Sequence, residues 1–203
     1  MNFLKKWIGC IVSFVAGVCG LALSACTGMV TKAVFPEAVA AYGPKSSTET
    51  TKAFKVLTDS DLYTQAKEAG LGKEFMTMKV FAIITLIVSI LLIAYAVVML
   101  LKNLNVIKFE SKIFDIVGVS LMMSLLVATI GLLISSNAYA SEMEKIMKSN
   151  IALGIKQLET MLGSAINWKL SISIGVYQPV MLVISIISAL AVGTFTFLKR
   201  KSA

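Results

Sequence analysis

The sequence predicts an all-α membrane protein: a four-transmembrane-helix bundle with a small, mainly helical extracytoplasmic cap in which one short strand is expected. Three observations predict it. The chain is 57% hydrophobic and only 15% charged, against about 45–50% and about 25% in soluble domains. Four uncharged or nearly uncharged stretches reach the roughly 20 residues that a helix needs to cross about 30 Å of hydrocarbon. The basic residues behind the net charge of +8 flank those stretches, whereas nucleic-acid binding gathers them on a soluble face.

The first stretch lies in residues 1–30. It carries two rows of small residues at every fourth position, Gly9, Ser13 and Gly17 in one and Ala16, Gly20, Ser24 and Gly28 in the other. Such rows share a helix face and let another backbone approach closely, which drives association where lipid offers no hydrophobic gain. The run also contains Leu23, Ser24, Ala25 and Cys26, the pattern of a bacterial lipoprotein signal, with a small residue before the Cys whose thiol takes the lipid. Two readings follow: a first transmembrane helix, or a signal cut before a lipidated Cys26.

Residues 31–78 form the first extracytoplasmic loop. A short helix is expected over 35–42, stopped by Gly43 and Pro44, then a polar linker over 45–51. Thr58 and Asp61 have capping-box spacing, and a helix over 61–69 ends at Gly70.

The second transmembrane helix, 79–101, is dominated by Ile, Leu and Val, with Thr85 and Ser89 as its small pair. It is expected to show more surface to lipid than the others. A cytoplasmic loop over 102–112 leads to the third helix, 113–136, with Ser120, Ser124 and Ala128 in a row. Asp115 falls one turn in, where the macrodipole favours a carboxylate at headgroup level.

The second extracytoplasmic loop, 137–178, opens on Ser141 and Glu144, again at capping-box spacing. Met143, Ile146, Met147, Ile151, Ile155, Leu158 and Leu162 follow helical periodicity. They predict an amphipathic helix whose apolar face leans on the first loop, lies on lipid or meets a partner. Leu170, Ile172, Ile174 and Val176 then alternate as in a strand, and Trp168 and Tyr177 are expected at the outer interface. The fourth helix, 179–198, repeats small residues at Ser185, Ala189 and Gly193, and a basic cytoplasmic tail closes the chain over 199–203. Helices one, three and four are expected to form the tight centre.

Orientation follows from the short flanks. Lys5, Lys6, Lys102, Lys108, Lys112, Lys199, Arg200 and Lys201 share one side if the chain crosses four times, against Glu110 and Asp115. The positive-inside rule places that side, with both termini, in the cytoplasm of a cell membrane; if the lipobox is used, the mature N-terminus is external at Cys26. Lys outnumbers Arg 18 to 1, a usage associated with bacterial AT-rich genomes.

The absence of His removes the commonest general base and metal ligand, and no metal, cofactor or catalytic motif is expected. The cysteines, Cys10, Cys19 and Cys26, all lie in the first run, so neither loop has a disulfide of its own. Two outer loops between four spans resemble the layout of claudins, tetraspanins and connexin-like channels, but the loop cysteines of those families are missing. The resemblance is topological, and no residue role is carried over.

Three function classes remain. The leading expectation is a non-enzymatic protein whose cap binds itself or another membrane or surface protein, with no nucleic-acid partner. The alternative is a channel or transporter subunit in an oligomeric pore, with Ser120, Ser124, Thr129, Ser185 and Ser188 as polar lining. An enzyme would have to use scattered carboxylates such as Asp59, Asp61 and Glu142.

Overall fold

The computed structural model describes residues 2–34, 50–58, 61–107, 112–163, 165–166, 168–174 and 177–201. It is mostly helical, with a small sheet. In chain order the elements are α1 (Asn2–Cys26), β1 (Gly28–Val34), β2 (Thr50–Lys55), α2 (Asp61–Glu68), α3 (Gly72–Asn103), α4 (Lys112–Leu162), β3 (Lys169–Ile174) and α5 (Tyr177–Lys201). Among the described residues, α1, α3 and α4 are long and apolar enough to cross a membrane; the described apolar stretch of α5, Gln178–Ala191, is shorter. The chain divides into two compact units, one of Met1–Thr27, Lys79–Leu133 and Val176–Ala203, the other of Gly28–Met78 and Ile134–Gly175.

In the first unit the buried positions alternate three and four apart. On α3 they include Ala82, Thr85, Ser89, Leu92 and Ala96, and on α4 Gly118, Met122, Leu125, Thr129 and Leu132. That average of 3.5 residues is the period expected along the contact of helices packed side by side. Two glycines of α4 act as sockets for aromatic rings of α3. A Cβ at Gly131 would overlap the Phe81 ring, and one at Gly118 would overlap Tyr95. Tyr95 also stacks on Phe114 with ring centroids 4.5 Å apart, and the Lys102 ammonium lies 5.9 Å from the Phe114 ring centre.

α1 lays its small residues against α3. A Cβ at Gly17 would come 2.7 Å from Ile93 Cγ1, 3.0 Å from the Ser89 carbonyl oxygen and 3.2 Å from the Ile93 amide nitrogen. Gly20 sits under Ser89 and Leu125, and the Cys10 thiol donates to the Ala96 carbonyl at 3.2 Å. Ala16 joins a core with Val88, Leu92, Met122 and Leu125, against which Val12, Val119, Leu121 and Ala189 pack. α1 runs along α5 as well. The second apolar helix is therefore not peripheral, because the glycine face of the first needs a backbone to approach and Ser89 with Ile93 supplies it.

α1 ends at Cys26, short of the expected residue 30. The Thr27 hydroxyl donates to the Leu23 carbonyl at 2.7 Å, satisfying one of the acceptors left open in the last turn. Gly28 consequently belongs to no helix row: it is the first residue of β1 and pairs with Lys55.

In the second unit the sheet has the order β2-β1-β3, antiparallel throughout, with Thr31 opposite both Lys52 and Ile172. The expected strand is present as β3, whereas β1 and β2 replace the apolar helix end and part of the polar linker. The expected helix over 35–42 lies outside the described residues. α2 starts at Asp61 and ends in a Schellman motif: Gly70 takes a φ of 79°, the Leu71 amide donates to the Ala66 carbonyl at 2.7 Å, and the Gly70 amide to that of Lys67 at 3.0 Å. Ala66 and Leu71 are both buried, as the apolar contact of that motif requires. Beyond it Phe75 packs between Tyr63 and Tyr139, at centroid distances of 6.1 and 5.7 Å.

The largest departure is α4. The third apolar stretch and the amphipathic helix, expected as separate elements divided near residue 137, are one helix of 51 residues. No Gly or Pro stands between Gly131 and Gly154, so nothing breaks the backbone where hydropathy changes. The helix stops at Gly163, whose φ is 65° and whose amide donates to the Glu159 carbonyl at 2.9 Å.

Candidate functional site

The second unit holds a groove between the face of α4 around 137–152 and β3. A carboxylate crosses it. Glu144 Oε2 accepts the Ile172 amide hydrogen at 3.0 Å, and Glu144 Oε1 accepts from the Lys148 ammonium one turn on. On one side of this crossing lie Asn137, Ser141, Lys145 and Ile174, and on the other Ser149, Ala152, Trp168 and Lys169. The two recesses measure about 460 and 560 Å³.

Why the carboxylate sits there follows from the sheet. β3 is the terminal strand on its side of the described sheet, so every second residue turns its backbone polar groups away from β1. Ile172 is one of these, and its amide would otherwise face the groove with no strand to receive it. The capping-box expectation for Ser141 and Glu144 is corrected accordingly. Both lie inside α4, where no helix begins, and Glu144 instead receives an amide 28 positions further along the chain.

The Lys148 hydrogen bond, followed by that of the Ile172 amide, holds the Glu144 carboxyl below its usual range against a smaller opposing desolvation. A depressed folded pKa contributes stability above the ordinary carboxylate value, which is lost as pH falls through the depressed value. Protection of the Ile172 amide from hydrogen exchange should therefore persist to below the ordinary carboxylate range and then collapse. In Glu144→Gln that acid step should vanish; an unchanged step would assign it to another group.

The amphipathic stripe is covered along most of its length. Ile155 is buried, Met143, Ile146, Met147, Ile151 and Leu158 are half-buried, and Leu162 is exposed. Glu159 accepts the Ile166 amide hydrogen at 2.9 Å, tying the end of α4 to the turn that follows.

Of the small residues, the structure buries Ser13, Ala16, Gly17, Gly20 and Ser24 on α1, Ala128 on α4 and Ser185 on α5. Gly9 lies within 3.6 Å of Met99 for an added Cβ, and Ala189 is half-buried. Ser120 and Ser124 are exposed, so the row 120–124–128 does not act as one face. The buried α4 face runs instead through Gly118, Met122 and Leu125, which keep the 3.5-residue period. Gly193 lies outside the residues whose side chains are described. Cys26 is exposed at the end of α1, while Leu23 and Ser24 before it are buried.

Of the scattered carboxylates, Glu142 pairs with Lys145, Asp61 lies in the first turn of α2, and Asp59 falls outside the described residues. Among the described residues no three His, Cys, Asp or Glu side chains gather where they could hold a metal ion. The Glu144 crossing and the Gly118 and Gly131 sockets carried no local signal; a glycine on the buried phase of an apolar helix is the one hint the sequence offered. Comparison with protein families, with curated proteins and with solved structures finds no match to this chain.

Proposed function

We propose that this chain is a four-span protein of the cell membrane, with both termini cytoplasmic and α1 retained, whose second unit lies outside and binds another protein or a second copy, without enzymatic activity. The observation that carries the membrane reading is the burial pattern of the first unit. Ile11, Phe14, Val18, Ile83, Ile87 and Ile90 face outward, while Ser13, Thr85, Ser89, Thr129, Ser185 and Ser188 are buried. Water would favour the reverse arrangement, and lipid favours this one.

The inner hydroxyls support a packing role over a pore lining. Thr85 donates to the Phe81 carbonyl, Ser89 to that of Thr85, Thr129 to that of Leu126 and Ser185 to that of Met181. Each is occupied by its own helix, as hydroxyls in dry helix contacts are. Retention of α1 is supported by Ala16, Gly17 and Gly20, since their removal would open Ser89 to lipid.

The test is crosslinking in intact cells, combined with the mass of the purified chain. A Ser173→Cys variant in a background free of the native cysteines should react with a membrane-impermeant thiol reagent from outside, and crosslinking should yield a discrete larger species. The intact mass should include residues 1–25. A chain that remains monomeric in nanodiscs and gives no crosslinked species would remove the binding role, and a mass starting at lipidated Cys26 would remove the four-span topology.

A further inference from the structure

We propose that the recess at the Trp168 end of the groove is a saccharide subsite, taking a β-linked pyranose ring of a neutral glycan flat against the indole. This goes beyond the protein-binding role above and does not depend on it. The recess measures about 560 Å³, within the range of small-molecule sites, and Glu144, Lys148, Ser149, Ala152 and Trp168 are among the residues that line it.

The chain direction explains why space is left there. α4 and β3 run in opposite senses along the groove, since one recess joins residues 137–148 to 172–174 and the other joins 144–152 to 168–171. Trp168 stands just before β3, and alternation carries the row of Leu170 and Ile172 on to it. Leu170 and Ile172 are buried, whereas Trp168 is half-buried. At its level α4 offers Ser149 and Ala152, both small and both exposed. A large ring therefore meets short side chains across open space.

The chemistry around that space suits an uncharged polyol. The indole is a broad apolar plate, and a pyranose with equatorial substituents turns its ring C–H bonds toward such a plate. The polar groups beside it each hold one partner and keep capacity for more. The Lys148 ammonium bonds Glu144 and retains donor protons, and the Glu144 oxygens retain lone pairs after bonding Lys148 and the Ile172 amide. The Ser149 hydroxyl donates to the Ile146 carbonyl at 2.8 Å and can still accept. Sugar hydroxyls both donate and accept, so they can use all three. Because Lys148 and Glu144 neutralise each other, their pair favours no anion over a neutral ligand.

The experiment uses the full chain in nanodiscs with Trp7, the second tryptophan, replaced by Phe, so that Trp168 alone reports. Cellobiose at millimolar concentration should change Trp168 emission saturably, and mannitol, a polyol without a ring face, should not. Equilibrium dialysis with radiolabelled cellobiose then reads the variants. Trp168→Ala should lose about tenfold in affinity, the upper end of what one ring contact supplies, and Trp168→Phe should lose less. Ala152→Leu lies at an exposed helix position where leucine is well tolerated. It should block the recess from the opposite wall and abolish binding, with exchange protection of the Ile172 amide unchanged. Lys169, which also lines the recess, should be replaceable by Gln without loss, and added salt should leave the affinity unchanged.

No saturable response to cellobiose, an equal response to mannitol, or full binding in Trp168→Ala or Ala152→Leu would overturn the proposal. So would affinity that falls in Lys169→Gln or with salt, since the recess would then select an anion. Quenching of Trp168 by brominated lipid would overturn it as well, because the ring would then stand in the bilayer.

Discussion

Replacing Gly17 by Leu should prevent the first unit from assembling. At this position α3 approaches by its backbone: the Ser89 carbonyl and the Ile93 amide already stand 3.0 and 3.2 Å from where a Cβ would be. A flexible side-chain end can swing aside, but a helix backbone moves only with its neighbours, and Ala16, Val88, Leu92, Met122 and Leu125 meet in the adjoining core. Gly17→Ala should cost about 1–3 kcal/mol, the usual range for overpacking, and Gly17→Leu more than that.

The measurement is the denaturation midpoint in nanodiscs, with recovery of folded protein as the coarse readout. Gly154→Ala is the control. Nothing stands within 4 Å of a Cβ at Gly154, inside α4, so the exchange should be neutral or stabilise by about 0.4–1 kcal/mol through the unfolded chain. If both alanine variants behave alike, the close approach of α1 to α3 is not what holds the unit.

The fate of the glycine rows shows what could be read beforehand. Rows at every fourth position mark a helix face, and Gly17 and Gly20 do lie on a buried one. Which helix answers that face is not local information. The second apolar stretch has few small residues, yet a glycine needs only a backbone opposite it, which any helix can offer. Its bulky side chains proved complementary instead, with Phe81 filling the socket at Gly131 and Tyr95 that at Gly118.

Hydropathy placed the apolar stretches and failed at their ends for one physical reason: it reports the surroundings of side chains, while backbone hydrogen bonding decides where a helix stops. At Cys26 the helix ends while the sequence stays apolar, and near residue 137 the sequence turns polar while the helix continues. β3 was legible because Leu170, Ile172 and Ile174 alternate. β1 was not, since its pairing with β3 joins residues about 140 positions apart, and β2 carries no clear period. The groove inherits that non-locality. Glu144 looks like a helix-start residue until the edge of β3 is in place to claim it.

Phe75→Ala should cost the second unit about 3–5 kcal/mol, the range for deleting a buried aromatic ring. Phe75 is 1% exposed and contacts Tyr63 of α2 in a tilted arrangement and Tyr139 of α4 edge-on, at 66° between ring planes. Such pairs add about 0.5–1.5 kcal/mol to the area they bury, so the loss combines a cavity with two ring contacts. A unit of this size has a stability on the order of 5–15 kcal/mol, which makes one ring decisive. Phe75→Leu fills most of the cavity and removes both ring contacts, so its cost should fall clearly below that of alanine if the cavity dominates. Tyr63→Ala, at a position 37% exposed, removes one ring contact with little cavity. Chemical unfolding followed by the fluorescence of half-buried Trp168, with Trp7, the second tryptophan, replaced by Phe, measures all three. Should Phe75→Leu cost as much as Phe75→Ala while Tyr63→Ala costs nearly the same, the aromatic contacts rather than the packed volume hold α2, α3 and α4 together in this unit.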